Sequence, residues 1–116
     1  MELRSRMLDI PANMMVLHIS GRINLNNLAP LEDEFEKMTN GAPVKLILDL
    51  QKVEAIDSQG IGVLIKARND IVAQGGRVVV TGLNNRISTV LKISGLLDYF
   101  VVAQTEFQAI KLLEEK

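Results

Sequence analysis

The stretch Asp57–Gly62 (Asp-Ser-Gln-Gly-Ile-Gly) is the feature that most constrains how this chain can fold. It follows an apolar run, Val44–Leu50, which is typical of a buried strand. It precedes a segment in which apolar residues recur every three or four positions, as they do along one face of a helix. Because Asp57 and Ser58 are both residue types that favour helix N-caps, the pattern predicts a strand, a short connector and a helix from about Ser58 to Ala73.

This arrangement predicts that Ser58 is exposed at a helix N-terminus. Free backbone N–H groups and the helix dipole favour negative charge there, so the position suits a phosphate. The alternative is that Ser58 is a plain helix N-cap. Asp57 has the same two interpretations, as a cap or as a residue that orients the serine. Gly60 and Gly62 either allow a partner's backbone to approach or serve close packing within the chain.

The rest of the chain predicts an α/β sheet of about four or five strands, mostly parallel after an opening hairpin. The hairpin consists of Leu3–Ile10 and Met14–Ser20 with a turn at Pro11–Asn13. A turn at Gly21–Asn24 then leads to a helix that carries the apolar stripe Leu28, Leu31, Phe35 and Met38; Asn26 or Asn27 is expected to cap this helix and Asn40-Gly41 to stop it. Two further strands are predicted at Arg77–Thr81 and Tyr99–Ala103, with a helix capped by Asn84 or Asn85 between them. The last helix opens with a capping box at Thr105–Gln108, and its Phe107 is expected to face inward.

Composition narrows the functional classes. A chain of 116 residues is expected to form one domain spanning residues 1–116. Its net charge of −1 gives no field that would recruit nucleic acid or an anionic membrane. It has no cysteine and one histidine, so neither disulfides nor a clustered transition-metal site is expected. No apolar run approaches the roughly 18 residues needed to span a bilayer. We therefore expect a cytoplasmic protein without cofactor, membrane insertion or direct nucleic-acid binding.

The sequence does not favour an enzyme. A serine hydrolase would need a base near Ser58, whereas His18 lies on an early strand and is expected to have only local partners. The Gly-x-Ser-x-Gly elbow is absent because Ile56 occupies the place of its first glycine. An acid–base enzyme built on Asp49 and Asp57 has no positive support in the sequence.

The segment Asp57–Leu64 resembles the signature of the STAS domain, the fold of bacterial anti-sigma factor antagonists, in which Asp-Ser-x-Gly-Leu-Gly opens the second helix. The flanking segments are similar as well. They are Leu48–Leu50 with Val53, Gln74–Gly76 before the next strand, and Leu91–Leu96 at the third helix and its turn. The resemblance covers about residues 14–113 in the expected order.

The resemblance implies a phosphorylation switch. In such antagonists a histidine-kinase-like serine kinase, which is also the anti-sigma factor, phosphorylates the serine that follows Asp. The unphosphorylated form binds that kinase, the phosphorylated form releases it, and a serine phosphatase restores the first state. Carried over to this sequence, Ser58 is the phosphorylation site. The implied partner-binding residues are Asp57, Gln59, Gly60, Gly62, Gly21, Arg22 and Asn24.

Three residues differ from the family pattern. Arg22 and Asn24 stand where the family's turn commonly has acidic residues, and Gln59 replaces the usual Ser, Thr or Ala. One alternative is therefore a constitutive, unphosphorylated STAS subunit of a signalling complex or of an ABC-type lipid transporter. A more distant one is a small-ligand-binding module. The oligomeric state is left open between a monomer and a weak dimer.

Overall fold

Strands form one five-stranded sheet in which their spatial order equals their order in the chain. A computed structural model of the protein describes residues 1–8, 14–39 and 42–114. Strand β1 (Glu2–Met7) pairs antiparallel with β2 (Met14–Ile23). Strands β3 (Lys45–Ile56), β4 (Arg77–Thr81) and β5 (Val101–Ala103) then follow in parallel. The α/β class and the mostly parallel sheet are confirmed. The turns predicted at Pro11–Asn13 and Asn40-Gly41 lie outside the described residues.

The helices cover the two faces of the sheet unequally. They are α1 (Leu28–Met38), α2 (Ser58–Ala73), α3 (Asn85–Ile93) and α4 (Glu106–Glu114). Helices α1–α3 pack on one side, here called the front face, through a core that includes Leu17, Leu48 and Leu64. On the other side, the back face, α4 packs over a smaller core that includes Val16 and Ile47. Successive strand side chains point to opposite faces, and so a buried sheet supplies both cores.

Two strands are longer than the sequence predicts. Residues 21–23, predicted as a turn, belong to β2, and residues 51–56, predicted as a connector, belong to β3. Gly21 has φ of +88° and lies at a register shift of the β2–β3 ladder, the signature of a β-bulge. Beyond the bulge, Ile23 pairs with Ile56 and both side chains are buried. Burial of this pair explains why the strands continue.

The last helix also differs from its prediction. Phe107 is 70% exposed, so its predicted inward orientation is wrong. Ala109 and Leu113 face the sheet instead, and at 100° per residue Phe107 lies on the opposite side of the helix. The capping box is shifted by one residue. The Gln108 N–H donates to Thr105 Oγ1 at 3.1 Å, but the Gln108 side chain accepts from the N–H of Gln104.

The last strand also begins later than predicted, at Val101, because Leu97–Tyr99 forms a 3-10 turn. Within the described ranges, none of the helices combines the length and apolarity that crossing a bilayer requires.

Candidate partner-binding site

Asp57, rather than Ser58, caps helix α2. Its Oδ1 accepts a hydrogen bond from the Gly60 N–H at 2.8 Å, and its backbone is extended, as N-cap residues are. Ser58 is the first helical residue and is exposed. Its hydroxyl has no hydrogen-bond partner among residues 1–8, 14–39 and 42–114. The interpretation of Ser58 as the N-cap is therefore wrong, and its hydroxyl is available to another molecule.

The Asp57 carboxylate also joins two parts of the chain. Its Oδ2 accepts from the Leu25 N–H at 3.0 Å, and the Asp57 N–H donates to the Ile23 carbonyl at 3.1 Å. The Gly60 N–H holds the pKa of Asp57 below its ordinary value; burial opposes this shift, and the Leu25 N–H adds to it. An ionised Asp57 thus ties the end of β2 to the start of α2.

Asn24 organises the turn before α1. Its Oδ1 accepts from the Asn26 N–H at 2.9 Å, and its own N–H donates to Asn27 Oδ1 at 2.9 Å. The Asn27 side chain also donates to the Arg22 carbonyl at 2.7 Å. These bonds cap the 3-10 turn Leu25–Asn27. Asn27, one of the two predicted residues, occupies the N-cap position of α1, but its side chain makes no capping hydrogen bond to that helix.

Leu25 is a surface residue that the sequence did not single out. Its side chain is 67% exposed while its N–H is bound to Asp57. Its spacing of three from Leu28 would extend the buried stripe of α1 to include it. The 3-10 turn has a different periodicity, and it directs Leu25 away from the core. An apolar side chain held at this position is suited to contact with another protein.

The two glycines of the motif differ in their surroundings. A Cβ on Gly60 would lie 2.7 Å from Ile23 Cγ2 and 2.9 Å from Ile56 Cγ1, and so Gly60 is needed for packing within the chain. A Cβ on Gly62 would have no neighbour within 4 Å. Gly62 is exposed one turn beyond Ser58. Gln59, also exposed, lies between them in the first turn.

The remaining predicted residues lie at the edge of this region. Arg22 is exposed, and its Nε lies 3.8 Å from Glu54 Oε2. Arg86 Nη1 donates to the Glu54 carbonyl at 3.1 Å, which brings a second arginine to the same strand end. Gly21 instead lies against Met1, since a Cβ added at Gly21 would lie 3.2 Å from the Met1 Cα. Glu54 and Arg86 carry no motif and were not predicted.

His18 and Asp49 lie on the back face, away from Ser58. His18 Nδ1 lies 2.7 Å from Asp49 Oδ2, and Arg6 Nε donates to His18 Nε2 at 3.2 Å. The local partners predicted for His18 are confirmed. Asp49 and Asp57 do not share a site, because Asp57 caps the front-face helix α2. In the described part of the chain, His, Asp and Glu side chains nowhere form a group of three suited to a metal ion.

Comparison with known families identifies the fold. The sequence matches the STAS domain family over residues 5–109. The chain belongs to the STAS domain family. A relative in Listeria monocytogenes, the anti-sigma-B factor antagonist, is 24% identical over 90 residues, which cover 78% of this chain and 79% of that protein. The expected membership of the family is confirmed.

Solved STAS structures show the same architecture. An anti-sigma factor antagonist from Mycobacterium paratuberculosis superposes with a TM-score of 0.83 at 22% identity, covering 98% of this chain and 94% of that one. The Bacillus cell fate determinant SpoIIAA in its phosphorylated form gives a TM-score of 0.73 at 19% identity, covering 97% of this chain and 100% of that one. Likenesses at this level of identity support the shared fold.

Proposed function

We propose that this STAS domain is an anti-sigma factor antagonist that Ser58 phosphorylation switches off. In the unphosphorylated state the surface around Ser58 binds an anti-sigma factor with serine kinase activity. Phosphorylation of Ser58 by that kinase releases the complex, and a serine phosphatase restores binding. The observation that carries the proposal is the exposed Ser58 hydroxyl at the start of α2, in the STAS motif, with helix capping assigned to Asp57.

The division of roles between Asp57 and Ser58 permits a switch without unfolding. Because Asp57 supplies the cap, a modified Ser58 side chain disturbs no hydrogen bond of the fold. A phosphate adds about −1.5 to −2 charges, which a helix N-terminus tolerates. Within a closed interface the same group would be desolvated and unpaired, which is costly. Phosphorylation would therefore weaken binding and leave the domain folded.

The surroundings of Ser58 suit a protein partner. Leu25 offers an exposed apolar side chain, and its backbone is fixed by the same carboxylate that caps α2. Gly62 leaves open space on the exposed side of α2, where a partner's backbone could approach closely. Together they form a rigid surface with an apolar contact beside the proposed phosphorylation site.

Arg22 and Asn24 give this surface its own charge pattern. Asn24 is engaged in capping the 3-10 turn, a role that an acidic residue can also fill. Arg22 adds a positive charge near Glu54 at a position where related antagonists commonly have a carboxylate. We infer that Arg22 contributes to the choice of kinase, because charges at the rim of an interface act mainly on specificity and association rate.

A regulatory role is favoured over catalysis because no base in the described part of the chain is hydrogen-bonded to Ser58. The sequence contains one histidine, His18, which lies on the back face with Arg6 and Asp49 as its partners. The nearest carboxylate in the motif, Asp57, is occupied by two backbone N–H groups. A serine in this setting is a substrate for another enzyme.

The test compares wild type with Ser58→Glu and with Ser5→Glu, a control that adds the same charge on the exposed strand β1. The three proteins are immobilised, exposed to native cell extract, and the captured proteins are identified by mass spectrometry. We expect wild type and Ser5→Glu to retain a histidine-kinase-like serine kinase and Ser58→Glu to lose it. With that kinase and ATP, peptide mapping should locate phosphate on Ser58. Equal capture of a transporter ATPase or signalling scaffold by all three would instead indicate a constitutive subunit.

A further inference from the structure

Helices α1 and α2 enclose a groove on the front face of the sheet. Because α1 connects β2 to β3, α2 connects β3 to β4, and these strands are parallel, the two helices run side by side in the same direction. A cavity of about 150 Å³ between them is here called the α1–α2 groove. Its lining includes Glu32, Phe35 and Glu36 of α1 and Val63, Lys66 and Asp70 of α2.

The α1–α2 groove continues the surface around Ser58. The Asp57 carboxylate caps α2 and also accepts the Leu25 N–H just before α1, so the starts of the two helices lie together. Val63, which lines the groove, is five residues beyond Ser58 on α2, or about 7.5 Å along the helix axis. Between them Gly62 is exposed and has open space at its Cβ position. A partner that covers Ser58 is therefore placed to extend into the groove.

The groove carries an excess of negative charge. Lys66 Nζ lies 2.7 Å from Asp70 Oδ2, which pairs the lysine of the groove with one of its three carboxylates. The ion pairs of the described residues include neither Glu32 nor Glu36. The pKa of Lys66 is raised first by Asp70 and further by Glu36 and Glu32, so the charges of both helices act in the same space. Three carboxylates against one ammonium leave the groove a net charge of −2.

The floor of the groove is apolar. Phe35 and Ala67 are each 4% exposed, and Val63 is half-buried beside them. A long basic side chain suits this combination, because its methylene stem packs on apolar atoms while its charged end stays among the carboxylates. A small inorganic cation would leave the floor uncovered. The groove therefore favours lysine or arginine side chains of another protein.

We propose that the α1–α2 groove receives a helix of the serine kinase that carries two basic residues four positions apart. This inference rests on the proposed function, which supplies the kinase as the partner. Glu32 and Glu36 lie about one turn apart, or about 6 Å along α1, and basic residues at i and i+4 of a facing helix reproduce that spacing. Helices commonly dock in grooves of this kind. Because exposed charges of an interface act mainly on association rate and specificity, the groove selects the kinase and speeds its encounter with Ser58.

The test measures association with the purified kinase by surface plasmon resonance at low and high ionic strength. Glu32→Gln/Glu36→Gln removes the two unpaired carboxylates, and its affinity should fall at least about tenfold at low salt, mainly through the association rate constant. The difference should shrink at high salt, which screens exposed charges. Glu2→Gln/Asp33→Asn is the matched control, because it removes two exposed carboxylates outside the groove. It should bind as wild type does.

Lys66→Gln gives a prediction of opposite sign. It removes the ammonium that offsets Asp70, so the groove becomes more negative and association with the kinase should become faster. Lys92→Gln, on the exposed side of α3, is its control and should leave the rate unchanged. Slower association of Lys66→Gln, or an equal effect of the groove and control variants, would overturn the proposal, because the effect would then come from net charge alone.

Ser58→Glu separates this inference from the proposed function. If Ser58→Glu loses the kinase while Glu32→Gln/Glu36→Gln binds as wild type does, the groove proposal is overturned and the switch stands. If Ser58→Glu retains the kinase while Glu32→Gln/Glu36→Gln loses it, the groove is supported and the switch is overturned. Circular dichroism of each variant establishes that the domain is folded before binding is compared.

Discussion

Replacing Gly62 with alanine should stabilise the free domain and weaken its complex. Glycine within a helix costs about 0.5–1 kcal/mol relative to alanine. A Cβ on Gly62 would meet no atom within 4 Å, so no packing strain offsets the gain. We therefore expect Gly62→Ala to raise the free energy of unfolding by about 0.5–1 kcal/mol. The chain keeps a glycine that its own fold does not need, which is expected where a partner approaches the backbone.

Gly60→Ala is the matched control because it makes the same change two residues earlier. Its Cβ would lie 2.7 Å from Ile23 Cγ2, 2.9 Å from Ile56 Cγ1 and 3.2 Å from the Ile23 carbonyl. Overpacking of this kind costs about 1–3 kcal/mol, which exceeds the gain in helix propensity. The two substitutions should therefore shift stability in opposite directions.

Urea unfolding followed by circular dichroism measures the change in the free energy of unfolding of both variants, and an unchanged m-value would show that the unfolded state is not altered. The affinity of Gly62→Ala for the captured kinase measures the weakening of the complex. A loss of at least about tenfold is expected from a methyl group in a close backbone contact. A destabilised Gly62→Ala would refute the reasoning about its surroundings. A stabilised Gly62→Ala that binds normally would place the interface elsewhere.

Three further substitutions test other parts of the structure. Asp57→Asn should make the stability of the domain depend less steeply on pH in the acid range. The pKa of Asp57 is lowered in the folded protein, so its carboxylate stabilises the fold above the ordinary aspartate pKa, and this stabilisation is lost as pH falls through the folded-state pKa. Urea unfolding at several pH values measures the difference. Gly82→Ala should destabilise the domain by about 1–3 kcal/mol in the same assay, since it combines a left-handed backbone with a contact on the Asp49 carboxylate; wild-type stability would contradict this. Phe107→Ser should change the free energy of unfolding by no more than about 0.5 kcal/mol, and the thermal midpoint correspondingly little, because the ring is 70% exposed; a large loss would mean that the ring is buried against another chain.

The sequence predicted elements that depend on local chemistry. The N-terminus of α2 at Ser58, the strand Arg77–Thr81 and the cap of α3 by Asn84 agree with the structure, since each rests on a short pattern of caps, glycines or β-branched residues. The choice of Asp57 over Ser58 as the cap of α2 depended on its second bond to the Leu25 N–H, which is distant in sequence.

Features set by tertiary contacts were missed. The extension of β3 to Ile56 follows from pairing with β2 beyond the bulge at Gly21, which no local pattern indicates. The sequence predicted that Phe107 faces inward, but Ala109 and Leu113 are the residues of α4 that are buried against the sheet. The exposure of Leu25 likewise depends on the 3-10 turn that Asn24 caps.

The separate back-face core has a consequence for synthesis of the protein on the ribosome. Its strand residues, among them Met14, Val16 and Ile47, are covered by α4, which is the last of the described elements to emerge. Until α4 leaves the exit tunnel, the front-face core can form while these apolar side chains remain uncovered. The nascent chain would then be a natural client for a holding chaperone, and slow translation over residues 101–114 would prolong that exposure.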